Sequence, residues 1–378
     1  MVQISKLRLA AKQDLGLFVL FCLNFFLASF FLSRFLHSQA IYPSTLSVIT
    51  VGSSIFILFL MCYFLWTELF VTINLSVTTA TFAGELYQNQ LENIDHSFWL
   101  KYFISSQCLI GWMFIVFSMA MIVHWVDLVK RPNVSRTKFT WLAVGCGLSG
   151  LLVRWYESYL MGSDIGHIPF SNLYEVFILF MIVTALVSLW YEKKLSIPNL
   201  GAIIIPIVVV AGLFMIWYGT TRRSYLIAPL IPALQSYWMK IHVPANFIGY
   251  GCFSAAAMVG CAWILKEKNL ISSLPPLETL EVLTYQLVSS GFMFFTLATI
   301  LGALWAADAW GSYWQWDPKE TWALIVWLNY ASWLHARFIR SLNHKILAWW
   351  TIIGLVVTLF AFLGVNIFLS GLHSYGQL

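Results

Sequence analysis

The chain has 378 residues, of which 60% are hydrophobic, 17% aromatic and only 10% charged. Its mean hydropathy is +0.79. Soluble domains carry roughly 25% charged residues, so this sequence cannot give itself a water-compatible surface. A soluble enzyme, a disordered regulator and a secreted disulfide scaffold are excluded. What remains is an all-α, polytopic integral membrane bundle, because long apolar runs must satisfy their backbone polar groups within each helix. The net charge of +5 is spread along the chain without a dense Lys/Arg cluster, so no nucleic-acid partner is expected.

Runs long enough to cross a bilayer fall at about 15–36, 45–66, 103–127, 138–156, 172–191, 200–218, 243–265, 285–307, 319–338 and 346–370. The first carries no small-residue cleavage site after it, which predicts a retained span. The six cysteines all sit in apolar runs, with no CxxC, and read as small core residues.

Basic loops set the orientation. Lys130, Arg131, Arg136 and Lys138 mark one cytoplasmic loop, Lys193 and Lys194 a second, Lys266 and Lys268 a third, and Arg337, Arg340 and Lys345 a fourth. The loops 157–171, 219–242 and 308–318 and the C-terminal tail are then external. Lys6, Arg8 and Lys12 also favour the cytoplasm. Ten spans would place them outside, so parity calls for an eleventh. The short, Thr-rich segment Leu69–Leu86 is the candidate, giving 10 or 11 transmembrane helices in all.

Residues 305–322 concentrate five tryptophans: Trp305, Trp310, Trp314, Trp316 and Trp322. An aromatic belt at the membrane interface explains one or two per span end. A Trp-packed loop fits better with a platform for a large, flat ligand. Asp317, Pro318 and Glu320 stand in the order of N-cap, first-turn proline and capping-box partner, so both carboxylates also have a structural reading.

Here the sequence resembles a known family. Trp310-Gly311-x-x-Trp314-x-Trp316-Asp317-Pro318-Lys319-Glu320-x-Trp322 is similar to the WWD motif of heme-handling membrane proteins. More narrowly, it resembles the CcsA/ResC type, also called CcsB, of the system II cytochrome c maturation machinery. Gly166-His167-Ile168-Pro169 leading into Ser171-Asn172-Leu173-Tyr174-Glu175 fits the same family. So do Lys240-Ile241-His242-Val243-Pro244-Ala245-Asn246, Trp333-Leu334-His335-Ala336-Arg337 and Ser370-Gly371-Leu372-His373-Ser374-Tyr375-Gly376. The resemblance covers roughly residues 101–378, a CcsA-like membrane domain. Residues 1–100 form an N-terminal membrane-spanning extension without a recognisable motif.

The resemblance implies heme b as cofactor, with His242 and His373 as axial iron ligands at the external face and His335 as a ligand at an inner site. Both external histidines adjoin spans on the side that holds the Trp segment, and a bis-His site requires such a layer. His242 is expected just before a helix start, with Pro244 in the first turn. His335 also reads as a snorkelling residue near Arg337. Trp310, Trp314, Trp316 and Trp322 are candidate porphyrin contacts, with Asp317 beside them. His167 reads as loop architecture, with direct ligation the alternative. Arg222 and Arg223 are candidates for pairing with heme propionates, since guanidinium holds carboxylates in bidentate fashion. His37, His96, His124 and His344 read as ordinary polar residues.

The implied function is the heme-binding subunit of a holocytochrome c synthase, which exports or holds heme and presents it for thioether attachment to a CxxCH segment. Implied partners are a CcsB/ResB-type membrane protein, apocytochrome c as substrate and thiol-reducing membrane proteins. The implied location is the bacterial inner membrane, with the heme site on the periplasmic side, or the thylakoid membrane in a plastid. Two other readings stay open: a heme exporter or chaperone without ligase activity, and a b-type electron-transfer subunit. Electron transfer usually uses paired His ligands on facing spans inside the bilayer.

Overall fold

A computed structural model describes residues 66–130, 137–339 and 342–369. The expected span 15–36 and all of 45–66 except Trp66 lie outside the described residues, as does His373. Among the described residues there are nine long α-helices and no strands. In chain order these are α1 (Thr67–Tyr87), α2 (Ser106–Lys130), α3 (Thr137–Met161), α4 (Leu173–Leu195), α5 (Leu200–Arg222), α6 (Met239–Glu267), α7 (Leu277–Trp310), α8 (Pro318–Ala336) and α9 (His344–Leu359). The chain is an all-α, polytopic integral membrane protein. Seven of these segments are long and apolar enough to cross a bilayer: α1, α2, α4, α5, α6, α7, and α9 with its extension to Gly364. The expected spans 138–156 and 319–338 are helical as α3 and α8, but these two are not among the seven; α3 buries Arg154 and Glu157.

Two compact units make up the chain, and α2 and α3 contribute to both. The first holds residues up to Ile115 together with Trp141–His167. Its α1 explains how a Thr-rich sequence can form a span. The side chains of Thr72, Asn74 and Ser76 donate to the carbonyls of Glu68, Phe70 and Thr72, four residues back, at 2.8 to 2.9 Å. Polar groups satisfied within the helix present little polarity to lipid. Ser76 Oγ also lies 3.1 Å from the Gly145 carbonyl on α3. Deeper in this unit the Glu157 carboxylate accepts from Tyr87 Oη at 2.6 Å, from the Ser106 backbone N–H at 3.0 Å and from Ser106 Oγ.

The second unit holds Val116–Thr140 and everything from Ile168 onward. Helix α6 is its axis and packs against α4, α5, α7 and α9. The run Gly249-Tyr250-Gly251-Cys252-Phe253-Ser254-Ala255-Ala256-Ala257 explains why so many helices reach it. Small side chains let helix backbones approach closely inside a membrane. At Gly260 a Cβ would stand 2.8 Å from the Ala348 carbonyl on α9, so that approach requires glycine. Phe253 stacks on Tyr330 of α8, with centroids 3.6 Å apart and planes 5° from parallel.

Local signals set the helix ends near the Trp segment. Gly311 takes φ +78° and ends α7 in the left-handed conformation that glycine adopts without strain. Asp317 is the N-cap of α8 and accepts from the Lys319 N–H at 3.1 Å. Glu320 Oε2 returns to the Asp317 N–H at 3.2 Å and the Gln315 N–H at 2.8 Å, completing a capping box. The chain passes from α9 through a π-helical turn, Phe360–Gly364.

Candidate functional site

A cavity of about 240 Å³ opens in the second unit where the first turns of α6 and α8 meet the last turns of α7. His242, Val243 and Asn246 of α6 form one wall, and Thr299, Gly302 and Trp305 of α7 a second. Tyr313 and Trp314 enter from the loop, and Lys319 and Glu320 from α8. Phe362, in the π-helical turn, lines this cavity together with Phe247 and Tyr250. The same three side chains line an adjoining, almost wholly apolar cavity of about 210 Å³.

The His242 imidazole is fixed by its surroundings. Nδ1 lies 2.8 Å from the Ala298 carbonyl of α7. A carbonyl only accepts, so this contact is a hydrogen bond when the proton is on Nδ1, and the Nδ1–H form of the ring carries its lone pair on Nε2. The edge of the ring meets Trp305, with centroids 5.7 Å apart at 64°. Helix α6 begins at Met239, earlier than expected. His242 therefore lies inside the first turn, where its N–H bonds to the Trp238 carbonyl at 2.8 Å, and Pro244 lies within the helix. Trp238 accounts for the earlier start: its Nε1 donates to Asp308 Oδ2 at 2.6 Å and holds the N-cap of α6 against the end of α7.

The Trp segment separates into distinct roles. Trp305 and Trp310 belong to α7, which continues through Trp310, so the expected loop 308–318 begins only at Gly311. Trp314 lines the cavity and packs edge-on against Trp316, 5.8 Å away at 89°. Trp316 is 68% exposed and has φ +59°, a strained value for a bulky residue. Trp322 packs on Phe360 at 4.3 Å. Trp310 is half-buried in the last turn of α7.

The other candidate residues fall elsewhere. His335 is exposed in the last turn of α8, about 27 Å of helix rise from Asp317. Arg222 and Arg223 are exposed at the end of α5 and do not line the cavity. His167 belongs to the first unit. Its Nδ1 lies 2.6 Å from the Ile165 carbonyl, and its backbone N–H donates to Ser158 Oγ at 3.1 Å. Asn172 caps α4 by accepting from the Glu175 N–H at 2.9 Å. Glu175 in turn accepts from the Ser171 backbone N–H and hydroxyl, each at 2.8 Å. His124 is buried in α2 with Nε2 3.1 Å from Thr140 Oγ1.

Three residues that line the cavity, Trp305, Gly302 and Lys319, and Ala298, whose carbonyl meets His242, are absent from the expected site. Trp305 is inside the quoted Trp segment but ahead of the motif proper. Gly302 and Ala298 precede it by one and two helical turns, and that i, i+4, i+7 spacing was the available signal. Lys319 is the one cation of the Trp310–Trp322 motif, two residues after Asp317.

The fold and cavity define the class as a polytopic α-helical membrane protein in which one imidazole, two indoles and one lysine line a single cavity. Residues 170–373 match the family described as cytochrome C assembly protein. The chain is 32% identical over 295 residues to the cytochrome c biogenesis protein CcsA of Guillardia theta, covering 70% of this chain and 94% of that one. It is 34% identical to the CcsA proteins of Chlamydomonas reinhardtii, over 60% of this chain and 64% of that one, and of Parasynechococcus marenigrum, over 60% and 82%. The cytochrome c heme lyase CcmF shares the fold with a TM-score of 0.52 at 14% identity, over 68% of this chain and 46% of that one. The chain belongs to the cytochrome c assembly family and takes part in cytochrome c maturation.

Proposed function

We propose that this chain is the heme-binding subunit of a system II cytochrome c synthase. The carrying observation is the cavity that brings His242, Trp305, Tyr313, Trp314 and Lys319 together. The donor set fits heme b. A neutral imidazole with its lone pair on Nε2 suits the iron, indole and phenol rings suit the porphyrin faces, and an ammonium suits a propionate. Lys319 takes the propionate role in this reading, since it lines the cavity and Arg222 and Arg223 do not. His373 would hold the iron together with His242, and His335 would hold it at an inner site where a CcsB/ResB-type partner would supply the other imidazole. The cavity faces the periplasm, or the thylakoid lumen in a plastid.

Heme supplies two vinyl groups across which the thiols of a CxxCH segment add, each S–H forming one C–S and one C–H bond. The protein contributes positioning. His242 fixes the ring plane against α7, and Trp314 and Tyr313 exclude water from one side. Asp317 and Glu320 hold the start of α8 so that Lys319 faces the cavity. Such preorganisation lowers a barrier without an acid or base in the reacting layer. Thiol-reducing membrane proteins keep the CxxCH cysteines of apocytochrome c reactive.

The test is co-expression of the chain with an apocytochrome reporter, with and without a ResB-like protein. Covalent heme-stained product that requires both membrane proteins supports the synthase reading. Heme-loaded chain with no covalent product under any condition would reduce the role to export. A pure, abundant protein lacking any Soret absorption, from cells with adequate heme, would refute heme binding.

A further inference from the structure

The contact between His242 and α7 depends on a missing side chain. The Ala298 carbonyl is four residues before Gly302, so the regular partner of that carbonyl within α7 is the Gly302 N–H. The imidazole makes a second approach to the same oxygen, 2.8 Å from Nδ1. A Cβ on residue 302 would stand 2.9 Å from His242 Cε1 and 3.1 Å from Nδ1. Even alanine would push the ring off the carbonyl. Trp305, one turn further on, closes the side of the same seat.

We propose that Gly302 and the Ala298 carbonyl form a seat that selects the Nδ1–H tautomer of His242 and sets the angle of its ring. Both are positioning residues. A neutral histidine side chain in water prefers the other tautomer, with the proton on Nε2, so the seat reverses the intrinsic choice. It leaves Nε2 as the basic nitrogen. The hydrogen bond from Nδ1 to a helix carbonyl also increases the basicity of Nε2, as carbonyl partners do for metal-bound histidines. The consequence for iron rests on the proposed function above; the tautomer does not.

The experiment reads the tautomer directly in the full-length chain. ¹⁵N-histidine protein in bilayers is studied by solid-state NMR at a pH where the ring is neutral, and His242→Asn identifies the resonance by its loss. The expected wild-type pattern is protonated Nδ1 and bare Nε2, with Gly302→Ala shifting the ring to the Nε2–H form or to exchange between the two. A wild-type His242 protonated on Nε2, or an unchanged pattern in a folded Gly302→Ala, would overturn the seat. The wild-type measurement stands alone if Gly302→Ala does not fold. In heme-loaded preparations Gly302→Ala should retain heme 10–100-fold less tightly, the usual loss when a metal ligand's outer partner goes. The heme that remains should show a raised reduction potential. Heme affinity and potential equal to wild type in a folded Gly302→Ala would refute the seat's effect on iron. A wild type with Nδ1–H but no heme under any loading would refute heme binding and still support the seat.

Discussion

Trp238 and Asp308 share a 2.6 Å hydrogen bond that joins the N-cap of α6 to the last turn of α7. Helix α6 carries His242 and α7 leads into Trp314, so this bond sets the spacing across the cavity. The pair is exposed, and its contribution should be about 1 kcal/mol, near the value for an ordinary intramolecular hydrogen bond. Trp238→Phe and Asp308→Leu should each lower cytochrome yield several-fold, and the double variant should be no worse than either single one. Asp308→Asn should stay near wild type, because its amide oxygen still accepts. Additive losses in the double variant would show that the two residues act separately.

The fold was readable to the extent that physics is local. Asp317-Pro318 with Glu320 announces its helix start because capping is decided within a few residues. Long apolar runs announced the spans for the same reason. The start of α6 was misplaced because Pro244 marks a first turn by local rules, while Trp238 anchors the chain earlier through a residue 70 positions away. The expected span 285–307 ends too early because Asp308 and Trp310 fall in the expected loop 308–318, although they continue a helix whose stop is Gly311. Gly302 was invisible because its role is an absence, which acquires meaning only once His242 occupies the space. Charge marks Arg222 and Arg223 as propionate candidates, but charge carries no information about distance from the cavity, which neither residue lines.

Close packing around α6 gives a stability test. Gly260 faces the Ala348 carbonyl, so Gly260→Ala should cost about 1–3 kcal/mol through overpacking. Gly260→Leu should abolish accumulation of folded protein. Gly111, whose Cβ position has nothing within 4 Å, is the contrast. Gly111→Ala should be neutral or slightly stabilising, since alanine is the better helix former by about 1 kcal/mol. Thermal unfolding in detergent ranks the two alanine variants against wild type, folded yield reads Gly260→Leu, and equal stability of the 260 and 111 alanine variants would show that α9 can give way at Gly260.

The axial-ligand proposal predicts that His242→Ala and His373→Ala each abolish cytochrome c maturation while the protein still inserts. Added imidazole should partly restore heme binding in both, since a free ring can occupy the vacated iron position. The restored spectrum should be low-spin. Wild-type maturation in either variant would remove that histidine from the ligand set.

The Trp–Asp series separates a porphyrin surface from a helix cap. Trp314 lines the cavity, so Trp314→Ala should lose most bound heme, and Trp314→Phe should keep more because a flat face survives. Trp316 points largely to solvent from a left-handed backbone, and Trp316→Ala should lose less heme than Trp314→Ala. Asp317 acts through the capping box, so Asp317→Asn and Asp317→Ser should be tolerated, because both residues cap helices well. Asp317→Ala should destabilise the start of α8 by about 1 kcal/mol and reduce heme content with it. Lys319 moves with that turn, which is how loss of the cap reaches the cavity. The measurements are heme per folded protein and covalent cytochrome yield across the series. Equal heme in Trp314→Ala and wild type would end the porphyrin-surface role of that indole. A folded but inactive Asp317→Asn would mean that the carboxylate charge, beyond its capping geometry, serves the heme or the incoming CxxCH segment.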